Sequence, residues 1–191
     1  MLASPPCVID IEASGFGRCS YPIEIGYVLP NGSARCVLIR PASSWTHWDS
    51  AAEQMHGISR AVLLAHGHAA NEVALALNAA LADLTVYCDG WAHDYAWLAA
   101  LYEEAGLRPH FKLESVNRLL CETQLHQLDG LRRGALAEMG LLRHRASNDA
   151  RALQLALTRV ARVAPGEHSA GLSTDAALRP APARAPAAGA T

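Results

Sequence analysis

The sequence predicts an α/β protein whose sheet carries helices on both faces, and three observations predict it. Residues 7–40 hold three short β-branched runs joined by turns. From Asp49 onward the apolar residues recur mostly at helical spacing. Two further short apolar runs interrupt those helices, an alternation that places strands between layers of helix.

Cys7 to Ala13 is apolar and β-branched, and a Ser14-Gly15-Phe16-Gly17 loop follows it. Tyr21 to Leu29 is the second strand, closed by the hairpin signal Pro30-Asn31-Gly32, and Arg35 to Arg40 returns as the third. Turns this short make the three strands antiparallel neighbours. Ala69 to Leu84 reads as a long Ala/Leu-rich helix and Thr85 to Cys88 as a short strand. Asp94 to Ala105 is helical and stops at Gly106. His110 to Leu113 is the candidate fifth strand, followed by helices near Ser115–Cys121, Gln124–Met139 and Ser147–Val163. No internal repeat is visible. The expected division is one domain over residues 1–164 and a disordered Ala/Pro-rich tail over 165–191. In that tail, 16 of 27 residues are Ala, Pro or Gly, too little apolar surface to offset the entropy of ordering.

The 191 residues are 51% hydrophobic and 18% charged, which excludes a disordered chain and suits a single core. No run approaches the roughly 18 apolar residues of a membrane span, and no signal-peptide pattern opens the chain. The expectations are therefore no membrane partner and a cytoplasmic location. Five cysteines without a CxxC pair argue against a disulfide framework or a structural zinc site. Those in strands (Cys7, Cys36, Cys88) read as small packing residues. The net charge of −2 hides an asymmetry: residues 1–107 hold 4 basic and 11 acidic groups, whereas residues 108–164 hold 10 basic and 5 acidic. An acidic centre beside a basic flank suits a metal and a phosphate backbone, although scattered surface charge would look the same.

Three segments carry chemistry. In Val8-Ile9-Asp10-Ile11-Glu12, strand alternation puts Asp10 and Glu12 on one face, roughly 7 Å apart. Two carboxylates on an apolar strand are costly unless a cation pairs with them, and hard divalent ions prefer such oxygen ligands. An edge strand with a solvated face is the plainer alternative. In Cys88-Asp89-Gly90-Trp91-Ala92-His93-Asp94, Leu98, Leu101 and Ala105 follow Asp94 at helical intervals and turn it inward. Asp89 competes for the same role, and an acid at a helix start also satisfies the dipole without further function. In His144-Arg145-Ala146-Ser147-Asn148-Asp149, Ser147 is the expected N-cap, with Asp149 in the first turn and His144 in the loop before it. On one helix the two would splay by about 140°. With the histidine on the loop, both reach one point.

Together these segments resemble the DEDDh exonucleases, the group of ribonuclease T, oligoribonuclease and the proofreading subunits of replicative polymerases. The resemblance spans roughly residues 7–163 and takes in Tyr21-Pro22-Ile23-Glu24-Ile25-Gly26 and Met55-His56-Gly57-Ile58. It implies a ribonuclease H-like fold with a mixed five-stranded sheet flanked by helices. It further implies that Asp10, Glu12, Asp94 and Asp149 hold two Mg²⁺ or Mn²⁺ ions, with Asp10 bridging, and that His144 is the general base. Phe16, Gly15 and the Ser14 backbone would meet the terminal nucleotide, with His56 lining the same pocket. Arg145, Arg151, Arg132 and Arg133 are candidate phosphate contacts. The partner implied is the single-stranded 3′ end of RNA or DNA, and members of the group often form homodimers. The chain departs from the group where many members have Asn before the third acid and this sequence reads Asp89-Gly90.

Other readings have sequence features of their own. A catalytically silent nucleic-acid-binding protein would not need a general base. A phosphatase with Asp10 as nucleophile would want a second Asp where Glu12 stands. An endonuclease on the same fold fits His-x₄-Asp less well. No polymerase-binding segment or second domain is evident, which tilts the expected substrate towards RNA or short oligonucleotides. For Trp45 and Trp48 packing is the expectation, with a substrate platform as the alternative.

Overall fold

The computed structural model describes residues 4–161. The stretch 165–191, expected to be a disordered tail, lies outside the described residues. Three strands open the fold as an antiparallel meander, β1 (Cys7–Ala13), β2 (Pro22–Val28) and β3 (Ala34–Leu38). Helices α1 (Ser50–His56), α2 (Arg60–His66) and α3 (Ala70–Leu81) lead to β4 (Thr85–Cys88). Then come α4 (Trp91–Ala105), β5 (Lys112–Ser115), a 3₁₀ turn (Val116–Arg118), α5 (Glu122–Met139) and α6 (Ala146–Val160). The sheet order is β3-β2-β1-β4-β5, with β4 and β5 parallel to β1. The expected mixed five-stranded α/β sheet is the one observed.

Alternation along β1 sorts its side chains between two cores. Cys7, Ile9 and Ile11 face α3 and α4, where Val73, Leu77, Leu98 and Leu101 are buried against them. Val8 faces α6, packing with Leu153 and Leu157. Asp10 and Glu12 follow Val8 on that second face, so the same alternation that builds the core aims both carboxylates towards α6.

Several boundaries differ from expectation for local reasons. The chain leaves α3 at Leu81 rather than Leu84, because Asp83 takes a left-handed conformation (φ 61°) that ends the helix. Helix α4 begins at Trp91, three residues before the expected Asp94, and the Gly90 carbonyl accepts the N–H groups of His93 and Asp94. Strand β5 lies at Lys112–Ser115 instead of 110–113, its ladder anchored by the Lys112 N–H on the Leu84 carbonyl. The helix expected near Ser115–Cys121 shrinks to the 3₁₀ turn, opened by the Ser115 hydroxyl accepting the Asn117 N–H. Cys7 and Cys88 pack in the core as expected, whereas Cys36 is exposed.

The start of α6 corrects a further expectation. Ser147 does not cap it; Arg145 stands at the N-cap without a side-chain hydrogen bond. The cap comes from β2, where Glu24 Oε2 accepts the Ala146 N–H at 2.8 Å. Two residues along the same face, Gly26 clears the space the helix occupies. A Cβ there would overlap the Ala146 carbonyl carbon and the Ser147 amide nitrogen. The Glu24-Ile25-Gly26 segment is thus a seat for the N-terminus of α6.

Trp45 and Trp48 pack, as expected. Trp45 stacks on Tyr21 with ring centroids 5.0 Å apart, and Arg60 lies over Tyr21 and Trp48 while donating to the Trp45 carbonyl.

Candidate functional site

Four elements meet at the C-terminal end of the central strand, β1. β1 supplies Asp10 and Glu12, the first turn of α4 supplies Asp94, and the α5–α6 loop and first turn of α6 supply His144 and Asp149. Glu12, His144 and Asp149 each offer a ligand atom, and these three atoms lie within 4.8 Å of one another. Asp10 stands in the field of the other carboxylates. Burial first, then the charges of Asp94, Glu12, Asp89 and Asp149, push its carboxyl well above the usual range.

The same two causes act on its neighbours. Burial, with Asp149 and Glu24 adding to it and Arg145 and Arg143 opposing, raises Glu12 to about 7. Burial also lifts Asp94 to about 7, while a hydrogen bond from the Cys88 thiol pulls the other way. Asp149 is raised by burial against the opposing pull of the His144 N–H. His144 itself is lowered, chiefly by desolvation, and is therefore neutral at pH 7. A cluster that resists ionisation in this way lacks positive charge, not acidic groups.

Its unused atoms show where that charge belongs. One oxygen of Asp149 accepts the His144 N–H at 2.6 Å, which holds the histidine in a left-handed conformation (φ 62°). The other, Oδ1, is buried without a partner, and so is Asp94 Oδ2. Buried carboxylate oxygens with no donor are costly. Oxygens of this kind beside an imidazole fit hard divalent cations, which Mg²⁺ and Mn²⁺ are. The residues present therefore fit the metal ions that the sequence implies.

Asp94 and Asp89 part company in the structure. Asp89 is ion-paired with Arg132 of α5, whereas Asp94 is buried over Gly90, where a Cβ would stand 3.2 Å from its Oδ2. The glycine leaves the carboxylate room. Arg145 is committed to Glu24 and Arg133 to Asp129, while Arg151 has no ion pair among the described residues. Arg143, beside His144 and exposed, was not singled out from the sequence; its influence on Glu12, His144 and Asp149 marks its proximity.

A cavity of about 120 Å³ adjoins Glu12, with Gly15, Phe16, His56 and Trp97 in its wall. Gly15 is needed there on two counts: its φ of 141° and the approach of Asp49 and His47, which a Cβ would meet at 2.7 Å. Phe16 projects into solvent at 61% exposure. His56 is buried, and its Nδ1 accepts the Ile58 N–H, so the neutral ring carries its proton on Nε2. That Nε2 has no partner. Ser14 is buried beside the cavity, with its N–H on the Tyr21 carbonyl and its own carbonyl taken by the Asp49 N–H. Its hydroxyl accepts the Tyr21 N–H and contacts His47 Nδ1, so Ser14 orders the loop that displays Gly15 and Phe16.

No family model and no curated protein matches the sequence. Solved structures with a similar fold include Escherichia coli exonuclease I in complex with a dA16 oligonucleotide, with a TM-score of 0.62 at 13% identity over 81% of this chain. Exonuclease I of Methylocaldum szegediense gives a TM-score of 0.60 at 15% identity over 82%. A zinc-bound complex of the Escherichia coli enzyme with single-stranded DNA gives 0.58 at 14% identity over 82%. The chain spans only 40–41% of the length of these proteins, and the likeness establishes a shared fold. Among the described residues, no helix is long and apolar enough to cross a membrane.

Proposed function

We propose that this chain is a metal-dependent 3′–5′ exonuclease of the DEDDh type, hydrolysing the terminal phosphodiester of single-stranded nucleic acid. The observation that carries the reading is the meeting of Glu12, His144 and Asp149 within 4.8 Å, with carboxylate oxygens of Asp94 and Asp149 left without donors. In this reading Asp10, Glu12, Asp94 and Asp149 hold two divalent cations, and the arginine pairing of Asp89 supports Asp94 over it. When bound, the ions would supply Lewis acidity at phosphorus and neutralise charge on the leaving 3′-oxygen. His144, neutral at pH 7, takes the proton of the attacking water on an imidazole nitrogen. Phe16 stacks on the terminal base, and Gly15 lets the strand end approach Glu12. His56 donates from Nε2 to an oxygen of the terminal nucleotide. Arg143 and Arg151 are the phosphate contacts with fewest competing partners.

The sequence tilts the substrate towards RNA, whereas the similar structures hold DNA oligonucleotides, so both polymers belong in the test. Matched single-stranded RNA and DNA, labelled at the 5′ end, are digested with Mg²⁺ or Mn²⁺ by wild type, Asp10→Ala and His144→Ala. The expected result is stepwise shortening from the 3′ end by wild type. Asp10→Ala loses both turnover and metal affinity, and His144→Ala loses most turnover while retaining metal. No shortening of either polymer with either metal would overturn the proposal.

A further inference from the structure

Around Asp94 the sequence reads the same in both directions by residue class, Trp91-Ala92-His93-Asp94-Tyr95-Ala96-Trp97. At about 100° per residue, Trp91 and Trp97 lie about 60° to either side of Asp94, with Tyr95 and His93 about 100° away. The carboxylate is therefore flanked by two aromatic pairs. On one flank, His93 and Trp97 stack at 5.5 Å, Phe16 packs against both, and the Trp97 N–H donates to Ser20. This flank is occupied by the protein's own loop and borders the cavity beside Glu12.

The other flank mirrors it without an occupant. Trp91 and Tyr95 stack with centroids 5.2 Å apart and planes 28° from parallel, and they stay 41% and 54% exposed. Neither side chain makes a hydrogen bond among the described residues, and neither belongs to a core cluster. Aromatic residues lose rotamer freedom in a helix, a cost that is offset when their faces are buried. Here the faces are left to solvent one helical turn from a carboxylate of the site. Tyr95 continues into a cleft of about 300 Å³ between α4 and β5, with Lys112 in its wall.

We propose that Trp91 and Tyr95 form a second stacking platform, which receives the base on the 5′ side of the scissile phosphate. The assignment rests on the exonuclease reading, which seats the terminal base on the Phe16 flank and the scissile phosphate over Asp94. The next base then falls to the opposite flank of the same helix. A flat ring pair accepts any base by its face, so the platform adds affinity without sequence preference.

The test uses the full chain and an oligonucleotide carrying a single abasic site, either at the penultimate position or several nucleotides further from the 3′ end. The expected result for wild type is a KM raised about tenfold by the penultimate abasic site and little by the distant one. Trp91→Ala raises KM about tenfold on the intact strand and adds nothing on the penultimate abasic strand, while Trp91→Phe restores most of the loss. Equal effects of the two abasic sites on wild type would overturn the platform even if Trp91→Ala fails to fold. So would additive penalties, or a dimer that Trp91→Ala splits without changing KM. If wild type shortens no strand at all, the exonuclease reading itself fails and takes the platform with it.

Discussion

Glu24 on β2 and Arg145 at the head of α6 form a forked ion pair across 121 residues of chain, with Arg145 Nη2 2.5 Å from Glu24 Oε1 and Nε 3.2 Å from both oxygens. The carboxylate is fully buried while the arginine side chain is 46% exposed. The same carboxylate holds the Ala146 N–H, so it fixes both the charge and the backbone at the point where His144 and Asp149 are delivered to the site.

Glu24→Gln keeps an acceptor for Ala146 but discards the ion pair. Because Arg145 can turn to water, the expected loss is about 2 kcal/mol, below that of a wholly buried pair. Glu24→Ala also uncaps the helix, at about 1 kcal/mol more. Urea denaturation measures both, and calorimetric Mn²⁺ titration should show weaker binding in the same order. A Glu24→Ala protein as stable as wild type would refute this account of the seat.

Gly26→Ala places a methyl group onto backbone atoms of Ala146 and Ser147, which cannot rotate aside as a side chain would. Helix α6 must lift from the sheet, at an expected cost of about 3 kcal/mol or more. Denaturation, together with loss of metal affinity from the displaced Asp149, provides the measurement.

Stability without metal should fall as pH rises. Glu12 and Asp94 are lifted from ordinary values of 4.5 and 3.8 to about 7, so both hold their protons more tightly folded than unfolded. The folded state is then favoured below pH 4.5 by these groups and loses that advantage as pH climbs through 7. With EDTA, Tm at pH 8 should lie roughly 5 °C or more below that at pH 5.5. Saturating Mg²⁺ should restore most of the difference at pH 8, where the carboxylates need a cation. A metal-free Tm that rises between pH 5.5 and 8 would refute the cluster's electrostatics.

Asp94→Asn and Asp89→Asn should separate cleanly. The first removes a carboxylate with a buried, unpartnered oxygen, and metal affinity should drop at least about tenfold. The second breaks a partly exposed pair with Arg132, costs about 1 kcal/mol or less, and leaves metal affinity within about threefold. Isothermal titration of both variants decides it.

The strand alternation that put Asp10 and Glu12 on one face was legible because it depends on adjacent residues alone. So was the delivery of His144 and Asp149 from a loop and the following helix. The cap of α6 was not: Ser147 had the right chemistry locally, but Glu24 on a distant strand takes the Ala146 N–H. The pairing of Asp89 with Arg132, another residue remote in sequence, was hidden for the same reason. The early start of α4 was hidden because Gly90 and Trp91 are poor helix signals, and it is this extra turn that carries Trp91.

The placement of Asp149 also sets an order of assembly during synthesis. β1 brings its acids out of the ribosome first, yet the group facing them arrives near the end of the described fold, on a helix seated on the second strand. A nascent chain holding β1 to β5 alone lacks both His144 and Asp149. In the proposed reading, chemistry that needs all five side chains waits until α6 docks on β2.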